Sequence, residues 1–252
     1  RDLAALLDRK KTYDFEEALY VVGNEQTLHF NQIKAVINKM GYDFSNQIHH
    51  IPFGLVLQDG KKMSTRKGKT VILHDVLVEA VNLASTYVKE HVSENIDEVS
   101  KMVGVGAVIF NDLKNYRTND IDFNLQDILK FEGETGPYLQ YTYARIKSLL
   151  SHKINTEINY NEIVIDEYIW NIVFKLSDFK NIIIKAKEGY DPSIIAKYLL
   201  ELAGLFNKFY ANVKIIDNDE INSAFRLNVA EAVSIVIKEG LRILGIETPN
   251  KM

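Results

Sequence analysis

Near Asp75 the hydrophobic pattern of this chain changes period, and that change restricts the fold to two joined parts of different kind. Before it, short apolar runs alternate with helical stretches. Ala18-Leu19-Tyr20-Val21-Val22, closed by Gly23, has the pattern of a buried strand. From Leu28, apolar residues recur at Phe30, Ile33, Val36, Ile37 and Met40 with helical spacing, and Gly41 supplies the stop. A second apolar stretch, Ile51 to Leu57, ends at the turn signal Asp59-Gly60, and Thr70 to Leu73 reads as a further strand. Strand, helix, strand in this order predicts a βαβ unit with a parallel sheet.

After Asp75 the strand signals fade. The spacing predicts helices over 76–92, 98–116, 137–154, 167–188, 192–213 and 220–244. Pro137 and Pro192 suit first-turn positions, Asp191 is a capping residue, and Gly189 and Gly245 mark ends. Asn119, Asp120 and the run Glu132-Gly133-Glu134-Thr135-Gly136 interrupt the helices. The expected organisation is therefore an α/β part over 1–122 and an all-α part over 136–252.

A length of 252 residues with 46% apolar and 25% charged residues suits one large globular domain or two ordinary ones. Cysteine is absent, which excludes a thiol nucleophile and a thiolate metal site and fits a reducing, cytoplasmic setting. No apolar run reaches the roughly 20 residues needed to span a bilayer, so no membrane partner is expected. Arg1-Asp2-Leu3-Ala4-Ala5-Leu6 reads as helix interior, and the chain is expected to have been cut from a longer one. The net charge of −4 argues against a general nucleic-acid binder, yet residues 61–69 hold five positive residues and no negative one. A solvated loop is the plain reading of that run.

The run does not fit a phosphate-binding glycine loop. Gly54 and Gly60 have five residues between them, and Gly60-Lys61 is followed by Lys62 rather than a hydroxyl residue. What remains is a cationic loop after a strand, carrying small hydroxyls. Mobile lysines suit a phosphoryl leaving group, where negative charge develops. His49 and His50 have no third ligand at metal spacing, so a metal site is not expected.

Lys62-Met63-Ser64-Thr65-Arg66 resembles the KMSKS signature of class I aminoacyl-tRNA synthetases. Three further segments are similar to elements of arginyl-tRNA synthetases: His50-Ile51-Pro52-Phe53-Gly54-Leu55-Val56, Lys114 to Phe123, and Gly133 to Tyr141 with its G-x-T-x-P-Y-x-Q-Y pattern. The end, Gly245 to Met252, also looks like that family's. The resemblance implies the C-terminal half of a Rossmann-type nucleotide-binding domain followed by a helical-bundle anticodon-binding domain.

It further implies that Lys62, Ser64 and Arg66 stabilise ATP phosphates during adenylate formation. His50, Phe53, Gly54, Val56 and Met63 would bind ATP, and Asp2 and Gln26 would bind arginine. Tyr138, Tyr141, Phe206, Tyr210 and Met252 would face the anticodon loop. The implied partners are arginine tRNA, arginine and ATP with Mg²⁺ as substrate; the protein is expected to be a monomer with no tightly bound metal.

Taken alone, these residues also admit plain readings. Asp2 and Gln26 could be surface residues, Tyr138 and Tyr141 at i, i+3 a packed helix face, and Phe206 and Tyr210 at i, i+4 core. No HIGH-type element occurs in the sequence, so the isolated chain is expected to be inactive in aminoacylation. The alternative is a non-catalytic tRNA-binding or partner-binding module descended from a synthetase.

Overall fold

The computed structural model describes residues 1–58, 60–62, 71–91, 94–152, 154 and 156–252, with the backbone alone at Gln58, Lys61 and Lys62. They divide into two compact units, one formed by Arg1–Met63 with Arg117–Phe123 and the other by Ser64–Tyr116 with Asn124–Met252.

The first unit opens with α1 (Asp2–Tyr13), followed by β1 (Ala18–Gly23), a 3₁₀ turn (Asn24–Gln26), α2 (Thr27–Lys39) and β2 (Ile48–Phe53). β1 and β2 pair in parallel from Ala18↔Ile48 to Gly23↔Phe53, the expected βαβ arrangement with α2 as crossover. Gly41, at φ 84°, lets the chain leave α2, as expected. Tyr20 and Val22 point to one face of the sheet and pack on Leu6, Phe30, Ile33, Ile37, Phe44 and Ile48. Leu19 and Val21 take the opposite face and are exposed.

The expected single strand over 51–57 is two. After Phe53 the chain turns at Gly54-Leu55 and enters a second small sheet, where β3 (Val56–Gln58) pairs antiparallel with β4 (Lys61–Lys62) and parallel with β5 (Ile121–Asp122). The Gly54 N–H donates to the Arg117 carbonyl, a partner far along the chain that no local pattern reveals.

The second unit comprises α3 (Leu73–His91), α4 (Ile96–Leu113), α5 (Leu125–Ile128), α6 (Gly136–Leu149), α7 (Glu167–Ser177), α8 (Phe179–Gly189), α9 (Ser193–Asn212) and α10 (Glu220–Ile243). The strand expected over Thr70–Leu73 is corrected: Leu73 already belongs to α3, and the Ile72 carbonyl accepts the amides of Asp75 and Val76. Val71, Ile72 and Leu73 are exposed, so no sheet face gathers them; Thr70 lies outside the described residues. The core of the unit runs through Phe110, Leu139, Tyr143, Ile146, Ile172, Leu199, Leu202, Val233 and Ile237.

The helix expected over 167–188 breaks at Asp178 into α7 and α8. The buried Tyr198 on α9 donates its hydroxyl to the Lys175 carbonyl at 2.9 Å and stacks on Phe179. Together with the Asp178 amide, which donates to the same carbonyl at 3.2 Å, it occupies the acceptor that an unbroken helix would give to Phe179. Burial, with the Asp178 charge second, pushes the Tyr198 phenol up to about 12. It stays a donor across the physiological range.

Between α9 and α10, Asp217 accepts from Arg226 at 2.8 Å, from the Asp219 amide at 2.9 Å and from Ser223 at 3.1 Å. Arg226 first, then the amide, holds the carboxyl below the usual carboxylate range. A depressed folded value stabilises above the unfolded pKa of about 3.9, and the contribution is lost as pH falls through the folded value. Asp217→Asn should therefore lower the melting temperature at neutral pH. The gap from the native protein should close as pH drops below about 4. Calorimetry across pH checks this; a gap that persists unchanged in acid would show that the carboxylate charge contributes nothing.

Candidate functional site

In the first unit, the parallel strands fix where candidate ligand residues gather. The carboxyl ends of β1 and β2 lie side by side, with Gly23 paired to Phe53. The segments leaving them, Asn24 to Gln26 and Gly54 to Val56, therefore emerge at one end of the sheet, the usual ligand end of an open α/β sheet. Gln26 is exposed at the end of the 3₁₀ turn, immediately before α2. Asp2 reaches the first turn of α2, where its carboxylate lies 2.8 Å from His29 Nε2. His29 is one helical turn past Gln26, so Asp2 and Gln26 flank the same helix start.

Phe53 and Val56 are exposed. His50 is half-buried, with Nε2 3.0 Å from the Val22 carbonyl and its ring stacked on Phe30 at 4.7 Å. It is held by the sheet rather than projected past its end.

Gly54 has a reason the sequence reading missed. A Cβ there would lie 2.3 Å from the Asn119 carbonyl oxygen and 2.9 Å from the Asp120 nitrogen, so the 117–120 segment crosses where a side chain would stand. Two carboxylates secure the crossing. Asp120 accepts from the Leu55 amide at 2.7 Å, and Asp122 accepts from the Gly60 amide at 3.2 Å. Asn24 adds a bond to the Thr118 carbonyl at 3.2 Å. The conspicuous part of segment 114–123 thus anchors the hairpin that carries Lys61 and Lys62. The Lys62 backbone ends β4, while its side chain, Met63, Ser64 and Arg66 lie outside the described residues.

In the second unit, the Gly136 to Tyr141 segment divides its labour. Thr135 caps α6 by accepting from the Tyr138 amide. Gly136 lets α6 approach α4, since a Cβ would lie 2.9 Å from the Gly106 carbonyl oxygen. Gln140 is fully buried and donates to the Met102 and Glu247 carbonyls, joining α4, α6 and the chain end. Asn250 accepts from Tyr143, which holds the tail two residues before the half-buried Met252.

Tyr138 and Tyr141 lie on the remaining face, and two residues absent from the sequence expectation join them. Asn207 on α9 donates to the Tyr138 hydroxyl at 2.9 Å and to Thr142 at 3.1 Å, and accepts from Arg145 at 2.8 Å. The Arg145 guanidinium lies 4.8 Å from the Tyr141 ring centroid and 5.0 Å from that of Tyr210. A cation held against two rings is fixed by attraction to both π faces. The available signal was spacing: Arg145 follows Tyr141 by four residues and Tyr138 by seven, on one helix face.

Phe206 is corrected. Its relative exposure is 0%, and it packs against Phe209 and Tyr210. A ring without exposed surface cannot stack on a base, whereas Tyr210, one turn on, is 43% exposed. Among the described residues no cluster of His, Cys, Asp and Glu could hold a metal ion, and no helix is long and apolar enough to cross a membrane.

A parallel βαβ unit followed in the chain by a helical bundle is shared with part of the class I tRNA synthetases. Residues 1–125 match the catalytic domain of the class I tRNA synthetases (R), and residues 139–252 match the DALR anticodon binding domain. The chain is 52% identical over 254 residues to an arginine–tRNA ligase of Pediococcus pentosaceus, covering 100% of this chain and 45% of the relative. It is 51% identical over 255 residues to that of Enterococcus faecalis, with the same coverage of 100% and 45%. The solved arginyl-tRNA synthetase of Thermus thermophilus superposes with a TM-score of 0.82 at 30% identity, covering 94% of this chain and 41% of that one. The chain belongs to the arginyl-tRNA synthetase family, and it spans under half the length of the curated relatives it matches.

Proposed function

We propose that the chain is part of an arginine–tRNA ligase, in which its helical unit reads the anticodon loop of arginine tRNA. The observation that carries this reading is the α6–α9 face. Tyr138, Asn207 and Arg145 form a bonded network, and Tyr141 and Tyr210 flank the guanidinium. Unpaired loop bases can be splayed onto such rings and hydrogen-bonded at their edges. Met252 lies on the tail that Gln140 and Tyr143 tie to α6, and it is proposed as a further apolar contact.

The first unit contributes the second half of the catalytic site in this proposal. Asp2 and Gln26 bind the arginine substrate. A carboxylate there forms a charge-assisted pair with a guanidinium or an ammonium group. Phe53, Gly54 and Val56 bind ATP, which enters with Mg²⁺ as substrate. Lys62, Ser64 and Arg66 supply positive charge and hydroxyl donors where the departing pyrophosphate gathers negative charge. Arginine attacks the α-phosphate to form arginyl-adenylate as pyrophosphate leaves, and the activated arginine passes to a hydroxyl of the terminal adenosine of its tRNA as AMP leaves.

Binding of arginine tRNA by this chain tests the reading. Affinity should exceed that for an unrelated tRNA and fall with added salt. Tyr141→Ala should weaken arginine tRNA binding by about 1–3 kcal/mol with little change in melting temperature. Equal affinity for both tRNAs, or a Tyr141→Ala protein that binds normally, would overturn it.

A further inference from the structure

The rings of the α6–α9 face do not stop at Tyr141. Tyr141 also meets the ring of Phe131, with centroids 6.3 Å apart and planes at 71°. Phe131 in turn meets Tyr87 of α3, at 6.0 Å and 74°. Tyr210, Arg145, Tyr141, Phe131 and Tyr87 therefore form one continuous strip of π surface and cation within the second unit. Along it Phe131 and Tyr141 are half-buried, while Tyr87, like Tyr210, is 43% exposed. The two ends of the strip therefore offer the most open ring surface.

A phenol serving only to fill space would be expected to turn its ring inward. Other α3 residues do that work: Ala80, Ala84 and Val88 are the buried ones. Tyr87 instead meets Phe131 with the ring planes steeply inclined and remains substantially exposed. No carboxylate or backbone group engages Tyr87 by its hydroxyl in a bond that fixes it there among the described hydrogen bonds. Lys130 and Glu132 flank Phe131 and are both exposed, so opposite charges stand beside the ring.

We propose that Tyr87, braced by Phe131, is a further base-stacking residue that takes an unpaired nucleotide of the same tRNA loop beyond those held at Tyr141 and Tyr210. The inference rests on the anticodon-loop reading above. Stacking on an aromatic ring tolerates any base, so Tyr87 contributes affinity and loop shape rather than sequence choice.

The test uses this chain and a hairpin RNA of the anticodon arm of arginine tRNA, with 2-aminopurine placed in turn at each unpaired loop position. Tyr87→Phe keeps the ring; Tyr87→Leu keeps an apolar contact with Phe131 but removes the π face. Tyr87→Leu should bind the hairpin about fivefold or more weakly. Its 2-aminopurine fluorescence should rise at one loop position that the native protein and Tyr87→Phe both quench. Binding is measured well below each variant's melting transition, so a small loss of stability does not enter. If Tyr87→Leu binds and quenches like the native protein while Tyr141→Ala is weakened, the Tyr87 inference falls and the anticodon-loop reading stands. If neither substitution matters, both fall.

Discussion

Replacing Phe206 with alanine is expected to destabilise the second unit by about 3–5 kcal/mol, as large-to-small changes at fully buried aromatic positions do. The ring is completely enclosed among Phe209, Tyr210 and the surrounding core of α6, α9 and α10. Alanine leaves a cavity that closed packing on all sides cannot fill. At roughly 2–4 °C per kcal/mol for a chain of this size, the melting temperature should fall by about 6–20 °C. Tyr210→Ala, one helical turn away, should behave in the opposite manner. Its half-open ring contributes less to the core, so melting should change little while tRNA affinity falls by about 1–3 kcal/mol. Measuring melting and tRNA affinity for both variants gives a crossed pattern. A Phe206→Ala protein that melts normally yet loses tRNA would restore that residue to the recognition face.

Gly54→Ala is the second change with a large expected effect, and it acts on the first unit. The added Cβ would meet the Asn119 carbonyl at 2.3 Å, and that neighbour is backbone, not a side chain able to swing aside. The 117–120 segment must retreat. With it go the bond from Gly54 to Arg117, the hold of Asp120 on Leu55 and the pairing of β3 with β5. Overpacking of this kind costs about 1–3 kcal/mol, and here the loss falls on the hairpin that presents Lys61 and Lys62. Amide hydrogen exchange should report faster opening at Leu55 and Ile121, while amides of α9 and α10 keep their protection. Gly41→Ala is the comparison, because it has φ 84° but no neighbour within 4 Å. It should cost only about 1–2 kcal/mol of backbone strain and leave the Leu55 amide unchanged. Unchanged exchange at Leu55 in Gly54→Ala would mean the crossing segment is not tied to the hairpin.

The helical face divides its labour in a way that only crossing contacts explain. Tyr138 and Tyr141 were legible as a pair one turn apart, and either packing or recognition fitted their spacing. In the folded chain α9 brings Asn207 to Tyr138 and Tyr210 to Arg145, while Tyr138 also packs against the helical core. For Phe206 and Tyr210, likewise one turn apart, the same helix turned the first into the core and the second outward.

The sequence alone determined what depends on neighbours close along the chain. The short apolar run of 18–22 closed by Gly23 and the 3.6-residue period after Asp75 mark strand and helix, although only the structure shows that the strand packs one face and leaves Leu19 and Val21 exposed. Pro137 in the first turn of α6, and Gly41 after α2, mark ends because helix starts and left-handed turns need particular residues locally. The ordered motifs, from Lys62-Met63-Ser64 to the chain end, already carried the family.

Tertiary structure decided the rest, wherever one backbone group had two suitors. The amides of Gly54 and Leu55 could have extended a strand, but Arg117 and Asp120 claim them and split it. The Lys175 carbonyl could have continued a helix, but the Asp178 amide and the Tyr198 hydroxyl take it. Leu73 joined a helix instead of a strand, with the Ile72 carbonyl taking the Asp75 and Val76 amides. A local pattern states what a segment can bury; only the folded chain supplies the distant donor or acceptor that settles which hydrogen bond is made.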